Sequence, residues 1–231
     1  MLRYLFGESK RGSDELLDPC FTLIDRFCER LRERNAVRGL HPRAHSLDLF
    51  AQGLRRSLDE LEQSVYCAFR YSGELRAEDP ARLGNEQADD YFRYLYFYKN
   101  AMIRVFANLD KLGYFMNDWF QLHTERVKPK FSYFTVLRRM RQTRTHAKLE
   151  SRLYRIKVEY GPPMQRLRLK RNLEIHLVNV ELLDPLKLLE SGESGPRRGE
   201  SAMNDLADLR AGYEMACRSM YEVFRYVGNS G

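Results

Sequence analysis

Arg171 and His176 are the pair in this chain best suited to chemistry. They lie in Pro162 to Asn179, PPMQRLRLKRNLEIHLVN, within the run Arg171-Asn172-Leu173-Glu174-Ile175-His176. Arginine is a permanent cation, and histidine alone has an unperturbed pKa near neutrality. Cleaving RNA without a metal needs two such groups. A base takes the proton from a ribose 2′-OH, which neutral histidine can do. A fork of N–H donors stabilises charge on a pentavalent phosphorus. Five residues along a helix is about 140° of turn and about 7.5 Å of rise. Arg171 and His176 therefore do not share a face, and the arginine side chain has to reach across. Asn172 and His176, four apart, do share one, so Asn172 is placed to hydrogen-bond the imidazole and fix its tautomer. The same spacing recurs from Arg141 to His146, RQTRTH, with Gln142 in place of the asparagine. A solvated basic face with a packed histidine is the plainer reading of either pair.

R-N-x-x-x-H on a helix, in a chain that reads as all-α, is the motif of the HEPN superfamily, many of whose members are RNases. This sequence resembles that family at Arg171, Asn172 and His176. A second stretch, YFRYLYFYKNAMIRVFANLDKLGYFMNDWF, residues 91–120, looks like a bacterial HEPN subgroup of largely uncharacterised proteins. The resemblance implies a metal-independent endoribonuclease whose products end in a 2′,3′-cyclic phosphate. His176 would be the general base, Arg171 the stabiliser of the phosphorane and Asn172 the residue that orients the base. It also implies a polar residue from another helix beside the pair, with Asp110 the first candidate and Asn100 the second. A homodimer with two motifs facing one cleft is implied as well. Many relatives by fold keep the bundle and lose the chemistry. A non-catalytic RNA- or nucleotide-binding module, and an antitoxin-like protein-interaction component, therefore stand beside the enzyme reading.

The net charge of +7 is unevenly placed. From Arg126 to Arg171 there are 15 Lys and Arg against 2 acidic residues, a net +13. The remainder holds 24 basic and 30 acidic residues, a net −6. A basic block beside an acidic remainder points to a polyanion-facing surface. Arg138, Arg139, Arg141, Arg144, Arg168 and Lys170 are the expected RNA contacts. On charge alone, a solvated face laced with ion pairs fits equally well.

At 231 residues the chain reads as a single helical domain, residues 1–231. No apolar run approaches the roughly eighteen residues needed to span a bilayer. The N-terminus MLRYLFGESKRGSDE has too short an apolar core for a signal peptide, so a cytoplasmic location is expected, with no membrane partner. Cys20, Cys28, Cys67 and Cys217 form no C-x-x-C pair and read as reduced core residues. His41 and His45 flank Pro42 in an expected loop without thiol or acidic partners, so no metal site is expected. No cofactor is expected either, since there is no Gly-rich phosphate loop and no G-x-S-x-G.

The elements that must hold these residues follow from period and punctuation. Stripes at spacings of three and four predict helices over Ser13 to Val37 and Ser46 to Tyr71. Residues 72–85 read as a loop. Residues 86–127 predict one very long helix, apolar almost all round, with Gly113 its weakest point. Its polar residues Asn100, Asp110 and Lys111 need partners across the bundle or in a cleft. Ser132 should cap a short helix from Tyr133 to Thr143, and residues 147–159 a second. A motif helix starts at Pro163 and ends before Asp184-Pro185. SGESGPRRGE, residues 191–200, reads as a mobile surface loop. Ser201 opens a last helix to about Tyr226. The fold expected is an all-α, up-and-down bundle of five or six main helices.

Overall fold

The periodic stripes become helices, and local side-chain chemistry sets their ends. The computed structural model of the chain describes residues 2–9, 11–38, 42–73, 85–126, 131–176 and 198–229. Among these there are seven α-helices and no strand: α1 Leu17–Arg38, α2 Pro42–Tyr71, α3 Asn85–Trp119, α4 Tyr133–Thr143, α5 Ala147–Glu159, α6 Gly161–His176 and α7 Arg198–Asn229. The all-α class is as expected. Short 3-10 turns cover Leu2–Phe6 and Thr124–Arg126.

Helix α1 starts four residues after Ser13 because Asp14 is its cap. The Asp14 carboxylate accepts from the N–H groups of Leu16 and Leu17, at 2.8 and 2.9 Å. Asp18 in turn accepts from the Asp14 N–H at 2.9 Å, so orphan donors are satisfied in both directions. Helix α2 starts at Pro42 rather than Ser46, since proline suits a first helical position. His45 thus lies in the first turn of a helix instead of a loop, while His41 is outside the described residues. Phe50 and Phe69 are exposed, although the spacing of three and four would set them on the core stripe of α2. The buried face is Leu47, Ala51, Leu54, Leu58, Leu61, Val65 and Ala68.

Side-chain pairs fix the directions. Arg32 meets Asp48 and Arg55 meets Asp25, so α1 and α2 are antiparallel. Lys111 donates to Ser57 and Ser64 to Asn100, so α2 and α3 are antiparallel too. Helix α7 runs parallel to α1, with the Cys20 thiol donating to the Cys217 carbonyl. An aromatic knot of Phe27, Phe115, Trp119 and Phe224, with centroid distances from 4.9 to 6.2 Å, welds α1, α3 and α7 together. Helices α5 and α6 descend along α7. His146 meets Tyr226 at the top, Arg152 meets Glu222, and Arg166 meets Asp208 lower down. They form one arm with a break at Tyr160. The expected stop at Gly161-Pro162-Pro163 is only a turn, since the Met164 N–H already donates to the Tyr160 carbonyl at 3.1 Å. All four cysteines are buried and free. Burial pushes the Cys28 thiol up to about 12 and Cys67 up to about 11, which makes both inert at neutral pH.

Helix α3 is shorter than expected and unbroken. It ends at Trp119, where Gln121 and His123 turn the chain at positive φ. The Asn117 side chain accepts from the Thr124 N–H and hydroxyl at 3.1 and 2.8 Å. Phe92, Tyr96 and Ile103, spaced along one face, are exposed, so the helix is not enclosed all round. Gly113 is a point of close approach rather than weakness. A Cβ there would stand 2.9 Å from Tyr133 Cα, so the missing side chain lets the start of α4 dock. The expected loop at 191–200 is helical from Arg198 onward, and its remainder lies outside the described residues.

The Gly113 contact gives a stability prediction. Gly113→Ala gains up to about 1 kcal/mol of helix propensity but meets backbone that side-chain rotation cannot relieve. Overpacking of this kind costs about 1–3 kcal/mol. The variant should melt below wild type in urea, with the m-value unchanged. A midpoint equal to or above wild type would show that α4 moves away freely.

Candidate active site on the motif helix

Helix α6 is laid antiparallel along one face of α3. Its Glu174 pairs with Lys99 at 3.2 Å, and the Arg171 guanidinium stands 4.7 Å from the centre of the Phe106 ring. Asp110 carries the same face one turn further. Lys99, Ile103, Phe106 and Asp110 are spaced 4, 3 and 4 residues apart, so they form one stripe. On its other flank α6 is tied to α7. Arg166 makes a two-pronged pair with Asp208 at 2.8 and 2.6 Å, and Lys170 pairs with Asp205. Gly212 makes the close crossing possible, because a Cβ there would meet Leu167 Cδ1 at 2.9 Å.

The motif residues separate on this helix. Arg171 is half-buried against α3, and its Nε is buried without a hydrogen-bond partner. Its Nη2 donates to Asn172 Oδ1 at 2.9 Å. Asn172 is exposed, and its carbonyl serves the arginine rather than the imidazole, unlike the expected geometry. His176 is the last residue of α6 and is exposed. Among the described residues no hydrogen bond joins it to Arg171 or Asn172. The 140° offset between positions 171 and 176 explains why packing claims the first and leaves the second open.

Asp110 lies between two duties. Its Oδ1 accepts from the Tyr133 N–H at 2.9 Å, which anchors the first turn of α4. Ser132 caps the same helix through its hydroxyl. Burial pushes the Asp110 carboxyl above its ordinary pKa. The Tyr133 N–H and the nearby Arg171 and Arg168 charges oppose that rise. Asp110, the first candidate for a residue from another helix, thus lies within electrostatic range of Arg171. Asn100 does not. Its Oδ1 accepts from Ser64 at 2.9 Å and Arg104 at 2.7 Å, in the seam between α2 and α3. Lys111 faces that seam as well, donating to Ser57 at 2.9 Å.

The basic block divides in the same way. Arg138 and Arg144 are exposed, Arg144 as the left-handed C-cap of α4. Arg139 is half-buried and donates through Nε to the Leu122 carbonyl at 3.3 Å. Arg141 is exposed over the Tyr154 ring at 4.4 Å, and Arg168 over Phe134 at 5.0 Å. Lys170 is committed to Asp205, so its charge is met inside the bundle. Phe134, Tyr154, Lys157 and Phe106 were not singled out in the sequence. Their signal was an aromatic within helical reach of a cation, as at Tyr154 and Lys157, three apart.

In the second motif copy the histidine is packed against aromatic side chains. His146 is half-buried at the αL N-cap of α5, its ring 4.1 Å from Phe120 and its Nδ1 3.1 Å from the Tyr226 hydroxyl. Arg141 instead rests on Tyr154. Spacing alone therefore does not mark a site.

The HEPN_Cthe2314-like HEPN family model matches residues 50–228, from α2 through α7. The chain belongs to that HEPN family. No curated protein and no solved structure matches it.

The packed histidine titrates in a defined direction. Burial lowers the pKa of His146 below 6.5. An unfolded chain binds that proton near the ordinary value of about 6.5, before the folded chain does, so this group's contribution to stability falls as pH drops below it. Comparing wild type with His146→Gln isolates the effect from the carboxylates. The stability of wild type relative to the variant should decrease between about pH 7 and pH 5. A constant difference in denaturation midpoint would show that His146 titrates as freely as in an unfolded chain.

Proposed function

We propose that this HEPN protein is a metal-independent endoribonuclease. The observation that carries the reading is the division of labour along α6. Arg171 is held half-buried within electrostatic range of Asp110, while His176 stands exposed at the helix end and the equally spaced His146 is packed away. In this reading neutral His176 takes the proton of a ribose 2′-OH. The 2′-oxygen bonds to phosphorus, the bond to the 5′-oxygen breaks, and that oxygen takes a proton from water. Arg171 stabilises the charge on the equatorial oxygens through its guanidinium N–H donors. Asp110 positions Arg171 electrostatically. Asn172 keeps a free amide N–H₂ with which to orient the imidazole. Arg138, Arg139, Arg141, Arg144 and Arg168 attract the RNA.

A homodimer that brings two α6 ends to one cleft would supply the second cation and base that one chain lacks. A cytoplasmic location goes with this reading. Among the described residues no helix is long and apolar enough to cross a membrane. A non-catalytic RNA-binding module is the second reading, favoured by the absence, among the described residues, of a hydrogen bond between Arg171 and His176.

Single-turnover cleavage of one RNA in EDTA separates the readings. His176→Ala should slow cleavage by about 10²–10⁴ and Arg171→Ala by about 10²–10³. Asn172→Ala should lose less, and His146→Ala should stay within a few-fold of wild type once its fold is checked by melting. Loss with His146→Ala and retention with His176→Ala would reverse the choice of motif. RNA binding without cleavage by wild type would establish the second reading. For assembly, sedimentation should give a dimer at micromolar concentration, and a monomer with activity linear in concentration would remove the shared cleft.

A further inference from the structure

Two groups of cations within the basic block differ in their partners in the fold. One is neutralised internally: Arg152 by Glu222 at 3.2 Å, Arg166 by Asp208 at 2.6 Å, and Lys170 by Asp205. These cations staple the α5–α6 arm to α7, each with an acidic partner that offsets its charge. The other group rests on rings instead of carboxylates. Arg141 lies 4.4 Å from the centre of the Tyr154 ring, and Lys157 lies 5.3 Å from the same ring. Lys157 also lies 5.9 Å from Phe134, and Arg168 lies 5.0 Å from Phe134 on its own side. Arg171 over Phe106 continues the series towards the end of α6. The order is thus cation, ring, cation, ring, cation across α4, α5 and α6.

Among the described residues none of these four cations forms an ion pair. Two carboxylates act on the row from a distance: Glu150 on Arg141, and the half-buried Asp110 on Arg168 and Arg171. A cation seated on a ring keeps its full charge and its N–H donors. Phe134, Arg138 and Arg141 share one face of α4 by their spacing, and Arg138 is exposed. Phe134 and Tyr154 are both half-buried.

We propose that this row is a track for a single-stranded stretch of RNA leading to the Arg171–His176 end of α6, with phosphates on the cations and unpaired bases against the rings and guanidinium planes. The proposal rests on the reading of the chain as an RNA-acting protein. Base faces are available to rings and guanidinium planes only when unpaired, whereas a duplex hides them within its stack. A row of point charges without rings would take either form. The alternation of the two is the feature that selects the single strand.

The test measures binding with His176→Ala protein, so that cleavage does not intervene. The probes are a short labelled unstructured oligoribonucleotide, its duplex with the complementary strand, and a polyglutamate peptide. Single strand should bind at least about tenfold more tightly than duplex. Phe134→Leu and Tyr154→Leu keep apolar bulk but lose the ring, and each should weaken single-strand binding by about fivefold or more while leaving duplex binding unchanged. Lys157→Ala and Arg168→Ala should each lower the slope of log affinity against log salt by about 0.7. Equal binding of the two RNA forms, or wild-type affinity in both leucine variants, would overturn the track and leave the endoribonuclease reading standing. Failure of every RNA to bind would overturn both. Tighter binding of polyglutamate than of RNA would reassign the surface to an acidic protein partner and overturn the track.

Discussion

The clasp between α6 and α7 is the constraint on which the rest depends. Arg166 engages both oxygens of Asp208, an almost buried carboxylate, and Lys170 engages Asp205 one turn along. Removing Arg166 would take the ion-pair partner from Asp208 near the core, which is far more costly than losing an exposed pair. These two positions, four apart, fix the rotation of α6 about its own axis. That rotation sends Arg171 under α3, onto Phe106 and within electrostatic range of Asp110, and leaves His176 exposed. The glycines at 113 and 212 let α4 and α6 come close enough for the clasp and the Asp110 anchor to form together.

The same clasp sorts the charge. A run of 15 basic residues against 2 acidic ones would repel itself if all of it faced one way. Helix α7 supplies acids to Arg152, Arg166 and Lys170, and rings on α3, α4 and α5 seat Arg141, Arg168 and Arg171. The outward face is therefore more basic than its share of the composition, since the neutralising carboxylates are on the opposite flank of the arm. Charge, packing and the exposed histidine thus belong to one arrangement.

Much of the fold was legible in the sequence, because period and punctuation act locally. The apolar residues of α7 at helical spacing, Leu206, Leu209, Tyr213, Ala216, Met220 and Val223, are buried, and Ser132 caps α4 as expected. Helix ends were less legible. Asp14 outcompetes Ser13 as a cap through its bond to Asp18 and the next N–H groups, and Trp119 ends α3 because Asn117 folds the following turn back. At the candidate site, spacing named Arg171 and His176 but equally named Arg141 and His146. The difference is that Phe120 and Tyr226, far apart in sequence, enclose His146. Lys170 shows the same limit. Its charge was visible, but its partner Asp205 lies 35 residues away. Pairings between distant segments decide which cations remain free, and no local pattern records them.

The account turns on the attack of a 2′-hydroxyl without a metal, and the ends of the RNA products test that most directly. The substrate is one RNA incubated with wild-type protein in EDTA, beside the same RNA carrying a single 2′-deoxy sugar on the 5′ side of the cleaved bond. The account predicts a 2′,3′-cyclic phosphate on the upstream product and no cleavage of the deoxy substrate at that bond. A 3′-hydroxyl upstream with a 5′-phosphate downstream, or undiminished cleavage next to the 2′-deoxy sugar, would contradict it.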